Sequence, residues 1–216
     1  MKKLLLISAV ACSAMTASAQ WKNTPEGETP LYSANRDYPA ATMATSATGQ
    51  TWFHLNEIRT IDDKMSEVYF FQGLDAEGNT IMGADPAPLA LNKYQSWTMV
   101  GHNIFTDSKG NAIMAVQDYR EGDLWHHATV YKISPTGEQL WGENGITLTK
   151  GMYYSLLFSF TGCEMSDGSY VFAWVNPISS TGDPYTGVYE INIMRVEEDG
   201  TLAWEPGDVK LSNSKM

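Results

Sequence analysis

Short runs of apolar and aromatic residues alternate along the chain with glycine, aspartate, asparagine, serine and proline. Valine, isoleucine and the aromatic residues favour strands, whereas the interrupting residues favour turns. No stretch keeps a sustained helical period. In the middle of the chain the pattern predicts four strands, which cover Trp97 to Phe105, Asn111 to Asp118, Ala128 to Ile133 and Gln139 to Leu148. The chain is therefore predicted to be all-β.

The turn pattern repeats with a period of about sixty residues. Two interleaved series of glycines mark it, each glycine preceding an apolar or aromatic strand. The first series is Gly49, Gly110 and Gly168, and the second is Gly78, Gly137 and Gly200. Four antiparallel strands repeated at a fixed period are typical of β-propeller blades. We therefore predict three four-stranded, propeller-like blades at residues 41–95, 96–150 and 151–216, after an N-terminal segment at 20–40.

Two of the repeats carry a glycine and a tryptophan four residues apart, namely Gly137 with Trp141 and Gly200 with Trp204. We expect the glycine to make the turn into the last strand and the indole to fill the gap against the next blade. Thr136 to Trp141 matches the Thr-Gly-x-x-x-Trp docking element of quinoprotein-like propeller blades. The chain resembles secreted bacterial β-propeller-repeat proteins and, more distantly, those quinoprotein-like propellers. The resemblance spans roughly residues 41 to 216, with Met82 in place of the tryptophan in the first repeat. It implies a propeller fold but does not imply a bound quinone, because the residues that would hold one are not identifiable in this sequence.

Three blades are fewer than the roughly four to eight with which propellers close. An open stack exposes sheet edges and apolar faces to other chains. We therefore expect the chain to be the front part of a larger propeller. The alternative is a compact or dimeric open array of three sheets, with self-association through the exposed blade faces.

The first nineteen residues have the pattern of a cleavable signal peptide. They begin with the basic pair Lys2-Lys3, which is followed by an apolar run from Leu4 to Ala11. The small residues Ala17-Ser18-Ala19 then provide a cleavage site for signal peptidase. The mature chain would begin at Gln20, unless Ala9 to Cys12 acts as a degenerate lipobox and Cys12 is lipidated. No apolar stretch reaches the ~20 residues of a membrane-spanning helix. We predict export without a transmembrane anchor, and leave open whether the protein is secreted, periplasmic or displayed on the cell surface.

The chain is acidic, with 14 Lys and Arg against 25 Asp and Glu and a formal net charge of −11. Nucleic acids and anionic membranes bind clustered Lys and Arg, so this balance argues against either as a partner. Only Cys163 would remain after signal cleavage, which precludes an intramolecular disulfide. We expect Cys163 to be a small buried apolar side chain.

His126 and His127 beside Asp123 have the side chains that bind zinc or copper. Adjacent strand residues point to opposite faces, so we favour a surface turn and predict no metal site. Asp107 to Asn111 offers only two side-chain oxygens to calcium, and we interpret it as a tight turn. No phosphate-loop, dinucleotide or hydrolase-elbow motif is present, and we predict no cofactor.

Three acidic groups offer the carboxylate pairs that glycoside hydrolysis needs. They are Asp62-Asp63, Asp118 with Glu121 and Asp123, and Glu197-Glu198-Asp199. Each lies in or next to a predicted turn, where acidic residues make local hydrogen bonds. We therefore predict no catalytic residues.

Trp125 and Tyr185 are the candidate ligand contacts, because each lies in a polar segment between strands. The remaining aromatic residues are mostly expected to fill the core. The leading hypothesis is a non-enzymatic binding or scaffold module for a glycan or a cell-surface protein. The alternative is a fragment of a carbohydrate-active enzyme with a propeller fold, some of whose carboxylates lie beyond Met216.

Overall fold

A computed structural model describes residues 30–32, 40–61, 63–90, 103–119, 126–149, 158–177, 188–205 and 209–215. Within these ranges the chain contains no helix, and its strands form three antiparallel four-stranded sheets, which confirms the all-β prediction. None of the described segments is a helix that could span a membrane. The predicted signal peptide, the alternative lipidation at Cys12, and the candidate ligand contacts Trp125 and Tyr185 lie outside the described residues.

The strands follow one another in chain order within each sheet. Sheet 1 contains β1 (Ala40–Thr45), β2 (Thr51–Ile61), β3 (Lys64–Leu74) and β4 (Ala87–Pro88). Sheet 2 contains β5 (Asn103–Thr106), β6 (Ala112–Tyr119), β7 (His126–Ile133) and β8 (Ile146–Thr147). Sheet 3 contains β9 (Phe158–Glu164), β10 (Tyr170–Pro177), β11 (Val188–Val196) and β12 (Lys210–Lys215). The first strands lie side by side, with β1 next to β5 and β5 next to β9.

Six tight turns of one type follow the first and third strands of the sheets. In the first turn, Ser46 N donates to Gln50 O at 2.8 Å and Gly49 N donates to Ser46 O at 3.0 Å, and the other five repeat this pair of bonds. The glycine in each turn has a φ between 83° and 94°, which a side chain would resist. Because the strands alternate in direction, all six turns lie at one end of the sheets, the turn end. The connections between second and third strands, and from sheet to sheet, join strand ends at the opposite end, the loop end.

The last strand of sheet 2 is much shorter than the sequence predicts. Only Ile146–Thr147 pairs with β7, apart from an isolated bridge between Gln139 and Ile133. Gly142 and Gly145 both have positive φ and make two successive turns, because their N–H groups donate to Gln139 O and Gly142 O. The prediction of a strand is therefore wrong over 140–145. Residues 97–102 of the predicted first strand lie outside the described residues.

Two apolar clusters fill the spaces between the sheets. Between sheets 1 and 2 the buried members include Trp52, Tyr69, Phe71, Met114, Val116 and Tyr131. Between sheets 2 and 3 they include Ile113, Val130, Phe160, Tyr170, Phe172 and Trp174. Alternate residues of β6 thus face sheet 1 and sheet 3 in turn, as the two-residue period of a strand requires.

Trp141 docks sheet 2 against the glycine turn of sheet 3. A Cβ at Gly200 would lie 2.9 Å from Trp141 Cδ1, so the indole occupies the space that the glycine leaves. Its Nε1 donates to Glu198 O at 3.2 Å, and its ring meets the Tyr170 ring edge-on at 5.2 Å. Lys132 lies over both rings, and burial lowers the pKa of its ammonium group. The predicted docking role of the indole is confirmed, although Trp141 lies in a turn rather than on the last strand.

Cys163 is exposed, so the prediction that it is buried is wrong. It lies on β9, where Phe160 is buried while Thr161 and Cys163 are exposed. Because alternate residues of a strand share a face, Cys163 lies on the opposite face from Phe160.

Candidate functional site

A cluster of buried polar side chains lies between sheets 1 and 2, on the loop-end side of the apolar core. We call it the inter-sheet polar cluster, and it consists of His54, Asn56, Glu67, Tyr69, Asp118, His127 and Thr129. Side chains alternate between the two faces of each strand, and this alternation points these polar residues into the space between sheets 1 and 2. Glu67 and Tyr69 continue the row of Phe71 along β3, and Asp118 continues the row of Met114 and Val116 along β6.

Glu67 is the buried carboxyl group of sheet 1, with 2% of its surface exposed. Asn56 Nδ2 donates to its Oε1, and the Tyr69 hydroxyl lies 3.4 Å from its Oε2 and 3.2 Å from Gln117 O. Burial raises the pKa of Glu67, against the opposing effect of the hydrogen bonds from Asn56 and Tyr69. Glu67 therefore keeps its proton to a higher pH than an exposed glutamate.

Asp118 is the carboxyl group that sheet 2 contributes to this cluster, and none of its surface is exposed. Its Oδ1 accepts a hydrogen bond from Thr129 Oγ1 at 3.1 Å, and across the β6–β7 ladder it is paired with His127. His127 Nδ1 lies 3.2 Å from Thr149 Oγ1. The expectation that the two histidines form a surface turn is therefore wrong, because β7 begins at His126 and His127 is buried. Asp118, which was expected in or next to a turn, is the second-last residue of β6 and is buried.

The phenol of Tyr69 lies within the electrostatic influence of both carboxyl groups. Burial raises its pKa well above the usual value, and the charges of Glu67 and then Asp118 raise it further. The His54 ring packs 5.0 Å from the Tyr69 ring. The cluster thus combines an acid of raised pKa, a neutral phenol and a second buried carboxyl group. Such a set can exchange protons and hydrogen-bond to a polar ligand.

Trp174 and Asn192 form a second polar site, which we call the Trp174–Asn192 pair. They lie opposite each other on β10 and β11, with 2% and 1% of their surfaces exposed. Asn192 shares its strand face with Met194 and Val196, which belong to the cluster between sheets 2 and 3. Trp174 Nε1 and both polar atoms of the Asn192 amide have no hydrogen-bond partner in the described structure. Unpaired polar atoms at this depth cost about 1–3 kcal/mol each, so none of the three has its hydrogen bonds satisfied by the described residues.

The other acidic groups of the sequence lie apart from these sites. Asp63 and Asp199 are exposed, and Glu198 pairs with Lys109, whose hydrogen bond lowers the pKa of Glu198. Asp62, Glu121 and Asp123 lie outside the described residues. Among the side chains that the structure describes, no group of three His, Cys, Asp or Glu residues could hold a metal ion.

The loop from Asp107 to Asn111 is the tight turn that the sequence predicts. Asp107 Oδ1 accepts hydrogen bonds from Lys109 N and Asn111 N, and its Oδ2 accepts from Asn111 Nδ2 and the Tyr170 hydroxyl. Both carboxylate oxygens are therefore used by the protein itself.

Glu67 and Asn192 were not among the candidates that the sequence suggested. Each lies on a strand whose apolar positions alternate, and each falls in the apolar register: Glu67 with Tyr69 and Phe71, Asn192 with Met194. A polar residue in the buried register of a strand was the signal available in the sequence.

No protein-family model and no curated protein matches the chain. Among solved structures, an endo-1,4-beta-xylanase from Bacteroides thetaiotaomicron is similar over 81% of this chain, with 10% sequence identity and a TM-score of 0.44. An endo-arabinase from the same organism is similar over 88% of this chain, with 13% identity and a TM-score of 0.40. The similar regions cover 60% of the xylanase chain and 69% of the arabinase chain.

Proposed function

We propose that the protein is an exported, propeller-like binding module that holds a neutral, hydroxyl-rich ligand of the glycan class at the loop end of its sheets. The observation that carries this proposal is the Trp174–Asn192 pair, whose three polar atoms are buried and have no hydrogen-bond partner among the residues that the structure describes. The indole offers a donor, and the amide offers both donors and an acceptor. A sugar hydroxyl both donates and accepts, and so matches this set.

The difference between the two ends of the sheets supports the loop end as the ligand-binding end. At the turn end, six short turns close on their own hydrogen bonds. In the sequence, the stretches between β4 and β5, β6 and β7, β8 and β9, and β10 and β11 contain six tyrosines and tryptophans, which are Tyr94, Trp97, Trp125, Tyr153, Tyr154 and Tyr185. Aromatic faces with polar edges are suited to packing against sugar rings. Trp125 and Tyr185 therefore remain the proposed ligand contacts.

The propeller-like arrangement is supported by the repeated packing of the sheets. The first strands lie side by side, and both sheet-to-sheet contacts bring a large side chain against a turn glycine. We interpret the three sheets as successive blades, with ligand-contacting segments at one end.

Ligand titrations followed by tryptophan fluorescence and calorimetry test the binding proposal. A panel of neutral mono- and oligosaccharides is titrated into the wild-type protein, Asn192→Leu and the turn-end control Asn79→Leu. We expect at least one saccharide to bind, Asn192→Leu to weaken that binding by at least about tenfold, and the control to bind normally. Trp125→Ala and Tyr185→Ala are expected to weaken it as well.

Two results would overturn the proposal. The first is a wild-type protein that binds no saccharide of the panel. The second is Asn192→Leu binding with wild-type affinity, which would mean that the pair is satisfied by buried water alone.

Glycoside hydrolysis is a second candidate function, favoured by Glu67 and Asp118. Hydrolysis needs one carboxyl group that is protonated near neutral pH and one that is ionised. Glu67 has the raised pKa of such an acid, and Asp118 is a second buried carboxyl group facing it from sheet 2. Release of reducing sugar from a panel of polysaccharides should then be lost in both Glu67→Gln and Asp118→Asn, and retained in the exposed control Glu77→Gln. Release that persists in Glu67→Gln excludes this role.

A further inference from the structure

The Trp174–Asn192 pair lies where the regular strand pairing of sheet 3 is interrupted on both sides. Between β10 and β9 the register shifts between Ala173 and Val175, so Trp174 lies at the irregularity. Between β11 and β12 the register shifts between Ile191 and Asn192. Such bulges re-aim side chains and are frequent beside functional sites. The two interruptions therefore indicate that the pair is a local site within an otherwise regular sheet.

The side of this site that faces the turn end is apolar. Phe172 and Met194 form the next pair on the same face of the β10–β11 ladder, and both are buried. The Phe160 ring packs against the Trp174 indole, with 5.9 Å between the ring centroids and 68° between the planes. A ligand group at the pair is therefore bordered by apolar side chains as well as by polar atoms. Its own polar atoms lose their water there, so the pair must supply their hydrogen bonds.

The polar atoms of the pair set the hydrogen bonds that a ligand must make, since none has a partner among the residues that the structure describes. The indole Nε1 of Trp174 only donates, whereas the Asn192 amide donates through Nδ2 and accepts through Oδ1. Because Oδ1 and Nδ2 point apart, a single hydroxyl oxygen can bond to only one of them with good geometry. Satisfying the pair therefore requires a ligand whose donor and acceptor are on different atoms.

We propose that the glycan carries a 2-acetamido group, as N-acetylglucosamine does, and that this group binds at the Trp174–Asn192 pair. The inference rests on the proposed glycan-binding function. The acetamido carbonyl accepts a hydrogen bond from Trp174 Nε1, and the acetamido N–H donates to Asn192 Oδ1. The hydroxyl on the next ring carbon accepts from Asn192 Nδ2. The methyl group packs against Phe172 and Met194.

An acetamido group fits this site better than sugar hydroxyls alone. Each hydroxyl carries one donor and two lone pairs, and every buried one that stays unpaired weakens binding. An acetamido group carries one N–H, one carbonyl and a methyl group that needs no hydrogen bond. Burying the methyl group beside Phe172 and Met194 also removes apolar surface from water, which favours binding.

The charge of the chain favours a neutral sugar of this class. The formal net charge is −11, and the resulting field repels anionic ligands. The apolar neighbours of the pair, Phe160, Phe172 and Met194, also offer no positive charge to compensate a buried carboxylate. Acetamido sugars that carry a carboxylate are therefore expected to bind more weakly than neutral ones.

Isothermal titration calorimetry on the full chain tests the proposal with two matched ligands. Oligomers of β-1,4-linked N-acetylglucosamine and of β-1,4-linked glucose, at equal length, differ only in an acetamido group or a hydroxyl on the second ring carbon. We expect the N-acetylglucosamine oligomer to bind at least about tenfold more tightly. Trp174→Phe removes the indole N–H and should reduce this preference by about tenfold. Trp141→Phe is the matched control, because that indole already donates to Glu198 O at the turn end, and it should keep the preference.

Thermal unfolding without ligand separates a binding role of the pair from a structural one. Asn192→Leu replaces an amide that has no hydrogen-bond partner in the described fold by an apolar group of similar shape. Such a replacement is nearly neutral or stabilising. We therefore expect Asn192→Leu to unfold at the wild-type temperature or above it, while it loses the preference for the N-acetylglucosamine oligomer.

Equal affinity of the wild type for the two oligomers would overturn the acetamido proposal and leave glycan binding itself intact. A preference that persists in both Trp174→Phe and Asn192→Leu would also overturn it, as would a clearly lower unfolding temperature of Asn192→Leu. A short N-acetylated peptide amide is titrated in parallel, and its binding in place of the sugar would assign the pair to peptide groups instead. A protein that binds no saccharide at all overturns the proposed function together with this inference.

Discussion

The buried carboxylate of Asp107 accepts hydrogen bonds both from its own turn and from the hydroxyl of Tyr170 in the next sheet. Asp75 makes the same bonds within the second turn of sheet 1, but near the surface and with no link to another sheet among the described residues. We expect Asp107→Ala to lower the free energy of unfolding by about 3 kcal/mol, because it leaves buried donors unpaired. Asp75→Ala is the matched control and should cost clearly less. Urea denaturation measures both, and equal losses would contradict the assigned role of the Tyr170 link.

Glu67 gives a prediction whose sign depends on pH. Because burial raises its pKa above 4.5, the folded protein binds a proton at pH values where the unfolded chain has lost it. The contribution of Glu67 to the free energy of unfolding is therefore most favourable below the pKa of an ordinary glutamate. It is lost as the pH rises through the raised pKa of the folded protein. We expect Glu67→Gln to unfold at a higher temperature than the wild type near about pH 8, with a difference that shrinks toward about pH 4.

The exposed variant Glu77→Gln is the control, since its thermal midpoint should follow that of the wild type at every pH. A Glu67→Gln variant that is less stable than the wild type at both extremes would mean that the carboxylate is needed for packing. In that case the raised pKa would have no bearing on stability.

The buried polar residues show which features of individual residues can be predicted from a single sequence. Glycine turns with Asp, Asn or Ser were predictable, because local chemistry decides them, and the Asp107 turn is an example. The burial of Asp118 was not predicted, because acidic residues usually lie at the surface, whereas here Asp118 shares the buried face of β6 with Val116. Which polar side chains meet across two sheets depends on packing, which the spacing of residues along the chain does not encode.

Trp141 gives the corresponding prediction for the contact between sheets 2 and 3. The indole is 8% exposed, fills the space over Gly200 and donates a hydrogen bond to Glu198 O. We expect Trp141→Phe to cost about 1 kcal/mol, mainly through the lost hydrogen bond, and Trp141→Ala to cost about 3–5 kcal/mol through the cavity it leaves. Chemical denaturation followed by circular dichroism measures both. Leu140→Ala, at an exposed neighbour, should stay within about 0.5 kcal/mol of the wild type.

The elements themselves were predicted best where a strand is long and its turn is tight. β6 was expected at Asn111 to Asp118 and lies at Ala112–Tyr119. The last strand of sheet 2 was overextended because Trp141 and Leu148 are apolar, yet Gly142 and Gly145 turn the chain between them. Apolar residues that serve a contact between sheets look the same in a sequence as those that belong to a strand.

At the scale of the whole molecule, the two glycine series of the sequence predicted where tight turns join the strands of the three sheets. The spacing of Gly137 and Trp141 also predicted that the indole contacts the next sheet. The spacing did not show that Gly200, and not another position, receives the indole, because that depends on how the sheets are stacked.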